Sequence, residues 1–156
     1  MSSGSIGENF VISELLRLKY KVTIPVSPQN PDWDILVIED SKGNTKNIKL
    51  QVKAVTWQKN SNTNPSIRGH FFNKFDYLVI VVIGYYRTQK YAVYVIPESD
   101  IKKATQTGSL PKIESESIFY KKGAGNKKST IPFSTFKNDN VRQVFNKKYR
   151  NKWERM

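Results

Sequence analysis

A chain of 156 residues with no internal repeat suffices for one compact domain and is short for two. Its 38% apolar and 12% aromatic content excludes extended disorder; the absence of cysteine excludes disulfides, thiolate nucleophiles and cysteine-based metal sites, and a single histidine excludes a His triad. The 26 Lys and Arg against 13 Asp and Glu leave a formal charge of +13, which favours a polyanionic partner, either nucleic acid or an anionic membrane surface.

The opening residues MSSGSIGENF lack a charged segment followed by an apolar one, and no stretch approaches the roughly 20 apolar residues of a membrane span, so a cytosolic protein is expected. Residues 5–19 (SIGENFVISELLRLK) predict a helix, opened by Ser5 as N-cap and closed as Tyr20 leads into the β-branched VTIPV. On a helical wheel Val11, Ile12, Leu15, Leu16 and Leu18 share one broad face, with Asn9, Ser13, Glu14 and Arg17 opposite. Glu8 falls in the middle of the apolar face.

Four or five strands follow, at Lys21–Val26, Trp33–Glu39, Asn47–Thr56, Asp76–Ile83 and Lys90–Ile96. The polar EDSKGNTK between the second and third predicts an antiparallel hairpin turning near Gly43 and Asn44. Trp57–Phe75 is 19 residues long, enough for the crossover a parallel neighbour requires and for a short helix within it. The nearly continuous YLVIVVI of Tyr77–Ile83 is expected to be a central strand covered on both faces. ESDIKKA reads as a short helix or turn, KKGAGNKK as a flexible loop, and DNVRQVFNKKYRNKW as a last, basic helix.

Residues 121–156 hold 11 Lys and Arg and two acidic residues, a net of +9, against +4 for residues 1–120. We therefore expect a core over 1–120 and a basic extension over 121–156 packed on the same domain through Phe133, Phe136, Phe145, Tyr149 and Trp153. Such an extension suits a DNA-contacting arm, with Lys121, Lys122, Lys127 and Lys128 as candidate contacts. A membrane-surface helix is the rival reading, for which a broader apolar face than Val141, Val144, Phe145 and Tyr149 would be expected.

Alternation places Asp34 on one face with Leu36 and Ile38, and Lys49, Gln51 and Lys53 together on one face of the next strand. A turn near Gly43 and Asn44 sets Asp34 opposite Lys53, so Asp34, Gln51 and Lys53 form one cluster. Hydrolysis of a phosphodiester needs a hard divalent cation on oxygen ligands, a cationic group near the phosphate and room for water. This cluster supplies those parts.

Pro31-Asp32-Trp33-Asp34 followed, 17 residues after Asp34, by Gln51-Val52-Lys53 resembles the motif of the PD-(D/E)XK nuclease superfamily. Gly4-x-x-Gly7-Glu8 resembles the N-terminal helix motif of its small resolvase-like members. The motifs span residues 4–53, and the element order extends the likeness to about residue 97. The resemblance implies an α/β fold with a restriction-endonuclease-like core, a mixed central sheet of four to five strands flanked by helices.

It also implies a metal-dependent DNA endonuclease, either site-specific like homing or restriction enzymes or structure-specific like Holliday-junction resolvases. Asp34, Gln51 and the Val52 carbonyl would bind Mg²⁺ (or Mn²⁺), Glu8 would bind it directly or through water, and Lys53 would orient water or stabilise charge. No small-molecule cofactor is implied. A symmetric homo-oligomer, dimer or tetramer, is expected because cutting two strands requires two sites. The family usually has Asp or Glu where this chain has Gln51, so a catalytically inactive DNA-binding protein of the same fold is the alternative; an RNA-binding protein is the third reading.

Each element also has a plainer explanation. Ser5-x-x-Glu8 is a capping box, Asp34 a residue leading into a strand, and Gln51 and Lys53 the solvated face of an edge strand. Asp32 is taken as a turn residue and His70 as packing or surface. Lys59, Arg68 and Lys74 in the crossover are candidate phosphate contacts, on the expectation that this loop leaves the sheet near Lys53.

Overall fold

The computed structural model describes residues 2–26, 33–56, 66–68, 73–84, 91–107, 109–113, 116–119, 128–130 and 139–156. Helix α1 (Ser3–Arg17) is capped by Ser2, whose Oγ accepts the Ser5 N–H at 3.3 Å. The N-cap is therefore Ser2 and not Ser5, so Ser5 does not form a capping box with Glu8. The helix closes in a Schellman turn: Lys19 takes φ 66°, and the N–H groups of Lys19 and Tyr20 donate to Leu16 and Leu15 at 2.9 Å. Its buried stripe is Gly7, Val11 and Leu15, one helical turn apart, narrower than the expected face; Leu16 and Leu18 are 55% and 38% exposed.

Strands β1 (Lys21–Thr23), β2 (Ile35–Ser41), β3 (Asn44–Thr56), β5 (Tyr77–Ile83) and β6 (Tyr91–Pro97) form one mixed sheet in the order β1-β2-β3-β5-β6; β4 (Ser66–Arg68) lies outside it. Strand β1 is half the expected length because Pro25 lacks the N–H a longer ladder needs. β2 and β3 form the expected antiparallel hairpin on a two-residue turn, Lys42 and Gly43, both at positive φ as a type I′ turn requires. That turn pairs Ile35 with Leu50, so the register is two residues from the expected one and Asp34 falls beside Gln51, not Lys53. A shift of two preserves the face of every side chain, which is why the predicted cluster survives it.

The crossover returns β5 parallel to β3, and β5 is buried on both faces between β3 and β6. The described parts of the crossover are β4, which pairs antiparallel with β9 (Lys128–Thr130), and residues 73–75, which are not helical; the expected short helix otherwise falls outside the described residues. β6 runs directly into α2 (Glu98–Thr107), the helix option of the short helix or turn expected there, and β7 (Ser109–Ile113) and β8 (Glu116–Phe119) form a second small hairpin with no counterpart in the sequence reading. The expected loop KKGAGNKK lies outside the described residues except Lys128.

One face of the sheet presents Ile35, Val37, Ile48, Leu50, Val52, Val79, Val81, Val93 and Val95 to α1. On the other, Tyr94 lies under Phe145 of α3 (Asp139–Tyr149), ring centroids 5.1 Å apart. The chain then turns around the outer edge of β6, where Arg150 bridges Tyr94 and the Asn151 N–H donates to Val93 at 3.0 Å. A 3₁₀ turn (Trp153–Arg155) brings Trp153 and Met156 into the core on the α1 side. These last residues cover an otherwise open strand edge as well as apolar surface.

Candidate functional site

Because β2 begins at Ile35 opposite Leu50, β3 continues past it from Gln51 onward. Asp34 stands at that fork. Its N–H donates to the Leu50 carbonyl at 2.8 Å, and its Oδ2 accepts the Val52 N–H at 2.6 Å and the Gln51 side-chain amide at 2.5 Å. The carboxylate thus takes the hydrogen bond that a further residue of β2 would have accepted. In a strand the N–H and C=O of one residue project to the same side, so the Val52 carbonyl faces the side on which Asp34 sits.

Gln51 is the one buried polar residue among those described, 4% exposed. Its amide nitrogen is committed to Asp34, which turns the amide oxygen away from that carboxylate. Lys53, half-buried on the same face, lies close enough to Asp34 and Glu8 to favour both in their charged forms. Lys53 also makes a further interaction within the fold.

Glu8 arrives from the opposite face of the sheet. It follows Gly7, which packs directly on Ala54 of β3, and so reaches Asp34 and Lys53 where β2 no longer covers β3. Burial, and then the charge of Asp34, push the Glu8 carboxyl above its ordinary range, with Lys53 opposing. Burial likewise raises Asp34, against the opposing pull of the Val52 N–H and Lys53. Two carboxyls held near each other in a poorly hydrated place favour a proton or a cation between them.

The structure therefore brings together Glu8, Asp34, Gln51, Val52 and Lys53. Lys74 is exposed and sits apart from them: the chain re-enters the sheet at Asp76, which exchanges hydrogen bonds of 2.8 Å with Lys49, so Lys74 precedes the level of the site and does not flank Lys53. Arg68 and Lys128 are cross-strand partners in the β4–β9 pair. Asp32, Lys59, His70, Lys121, Lys122 and Lys127 fall outside the described residues. The sequence reading did not anticipate the Gly7–Ala54 contact, whose signal was a glycine inside an apolar helical stripe.

Among the described residues no group of three or more His, Asp or Glu converges, and no helix is long and apolar enough to cross a membrane. No family model matches the chain, and no curated protein sequence matches it. Among solved structures it is similar to the bacterial homing endonuclease I-Ssp6803I, with 19% identity and a TM-score of 0.48 over 93% of this chain and 92% of that one. It is also similar to a nuclease from a fusselovirus, with 9% identity and a TM-score of 0.45 over 93% of each chain.

Proposed function

We propose that the chain is a Mg²⁺-dependent DNA endonuclease of the PD-(D/E)XK type, with Gln51 in the position usually held by an acid. The observation that carries this reading is the convergence of Gln51 and the Val52 N–H on Asp34 Oδ2, with Glu8 and Lys53 beside them. An all-oxygen donor set with two carboxylates suits Mg²⁺, which takes one or two carboxylates and keeps several waters. The residues fit: burial raises both carboxyls, so each carries an ionisation cost that a cation would remove.

Asp34, the Gln51 amide oxygen and the Val52 carbonyl would hold the ion, with Glu8 bound directly or through water. Mg²⁺ there supplies Lewis-acid polarisation of a phosphoryl oxygen. Lys53 places a fixed ammonium beside the attacked phosphate, where charge develops during displacement, or orients the attacking water. Gln51 adds an oxygen without charge and holds Asp34 in place. The charge of +13 provides a general attraction to the DNA backbone, and the basic C-terminal quarter is assigned to the same partner. Cutting both strands would use two copies of the chain in a symmetric oligomer.

The test is incubation with Mg²⁺ and, side by side, a four-way junction, a linear duplex and a plasmid library. Cleavage that requires the metal and disappears in Asp34→Ala supports the reading, and the preferred substrate separates structure-selective from sequence-selective cutting. Tight DNA binding without cleavage by the unaltered chain would overturn it in favour of an inactive DNA-binding protein of the same fold.

A further inference from the structure

A Cβ built on Gly7 would lie 2.5 Å from the Ala54 Cβ, 3.5 Å from the Ala54 Cα and 3.7 Å from the Val81 Cβ. The first of these distances is far inside carbon–carbon contact, so any side chain at position 7 forces the helix away from the sheet. Gly7 sits over a single rung, because Ala54 and Val81 are register partners in the parallel β3–β5 pair. A glycine in a helix interior works against the helix, so local preference alone would place alanine here. Local preference and tertiary packing conflict at this position, and such conflicts concentrate at functional sites.

The neighbours of the contact indicate what it serves. Glu8 follows Gly7 on the helix and Lys53 precedes Ala54 on the strand, so the closest approach of α1 to β3 has a candidate site residue beside it on each element.

We propose that Gly7 and Ala54 are the positioning residues of this site: their contact sets the height of α1 above β3 and thereby places the Glu8 carboxylate against Asp34 and Lys53. The proposal rests on the reading of the site as a metal-dependent nuclease centre. A methyl added at position 7 lifts the helix by about 1 Å before ordinary contact is restored, the two methyls added by Ala54→Val crowd the same contact from the strand, and Glu8 moves with the helix. A misplacement of about 1 Å can cost on the order of a hundredfold in rate.

The test measures Mn²⁺ affinity by calorimetry and Mg²⁺-dependent cleavage in Gly7→Ala, Ala54→Val and the exchange Gly7→Ala/Ala54→Gly, with circular-dichroism melting of each. Both single variants should bind Mn²⁺ more weakly, by on the order of tenfold, and lose kcat with little change in KM for DNA. The exchange moves the methyl from strand to helix, where it meets the Cα of position 54 at 3.5 Å, an ordinary contact, and should restore both properties. Single variants that melt earlier but keep Mn²⁺ affinity in the folded protein would overturn the proposal, leaving the contact as packing alone. An exchange variant that folds yet keeps the weakened affinity would also overturn it. Should Gly7→Ala fail to fold, Ala54→Val and the exchange decide by the same readouts. Failure of the unaltered chain to bind Mn²⁺ or cleave DNA would overturn the nuclease reading and this proposal together, whereas the other outcomes bear on the positioning alone.

Discussion

The side-chain amide of Gln51 donates to Oδ2 of Asp34 at 2.5 Å, at the fork where β2 begins beside β3. The same oxygen accepts the Val52 N–H at 2.6 Å, so a buried neutral side chain and a main-chain group together fix one carboxylate. In the proposed metal site this bond would let Gln51 orient Asp34 through its amide nitrogen and leave the amide oxygen to face the ion.

Substitution of Lys53 by alanine should lower kcat on the order of 10²–10³-fold, the effect of removing one group that stabilises developing charge. The melting temperature should fall modestly, since Lys53 is half-buried and its charge offsets those of Asp34 and Glu8. Single-turnover cleavage with circular dichroism as control checks both parts. Asp34→Ala should abolish cleavage and also destabilise by about 1–3 kcal/mol, because the Val52 N–H and the Gln51 amide lose their acceptor.

Gln51→Glu replaces a hydrogen-bond donor to Asp34 by a third carboxylate. Without metal the variant should melt below the unaltered protein, through repulsion among Glu8, Asp34 and the new acid. With saturating Mg²⁺ the order should narrow or reverse, as the added charge strengthens cation binding. Melting curves with and without Mg²⁺ test this; a metal-free variant more stable than the parent would count against the arrangement.

Both site carboxyls titrate higher in the folded protein than in the unfolded chain, where the ordinary values are 4.5 for Glu8 and 3.8 for Asp34. The folded state therefore holds more protons between the two sets of values. Their contribution to metal-free stability is fullest at or below the unfolded values and is lost as pH rises through the folded ones. Denaturant unfolding across this range should show that decline, and Glu8→Gln should flatten it. Mg²⁺ binds the deprotonated groups, so the stabilisation it adds should grow with pH over the same interval.

Trp153→Ala should cost about 3–5 kcal/mol, the usual loss for a buried large aromatic. Trp153 closes the α1 side of the core, and its carbonyl accepts the Tyr20 hydroxyl at 3.4 Å. A lower denaturant midpoint with unchanged slope is the expected observation. Tyr149→Phe should be milder, about 1 kcal/mol, because the ring stays packed on Phe145 while the 2.7 Å bond to Asp100 is lost.

Much of this protein was legible one residue at a time. The hairpin was marked by Lys-Gly-Asn, the doubly covered central strand by YLVIVVI, and the last helix by its spacing of apolar and basic residues, because these are local consequences of turn chemistry and periodicity. The grouping of Asp34, Gln51 and Lys53 was also readable, since a two-residue error in register leaves every side chain on its face. Three things had to be read from the folded structure, two of them local in origin and the third a matter of tertiary packing. It placed Asp34 beside Gln51, because the turn closes on Lys42 and Gly43 at positive φ. It moved the helix cap to Ser2, which leaves Glu8 in the helix interior and unused by the cap. It also seated Gly7 on Ala54, with Glu8 next to the contact on the helix and Lys53 next to it on the strand. That last step depends on residues 47 positions apart in the chain meeting at one rung, a fact of packing that no local pattern encodes.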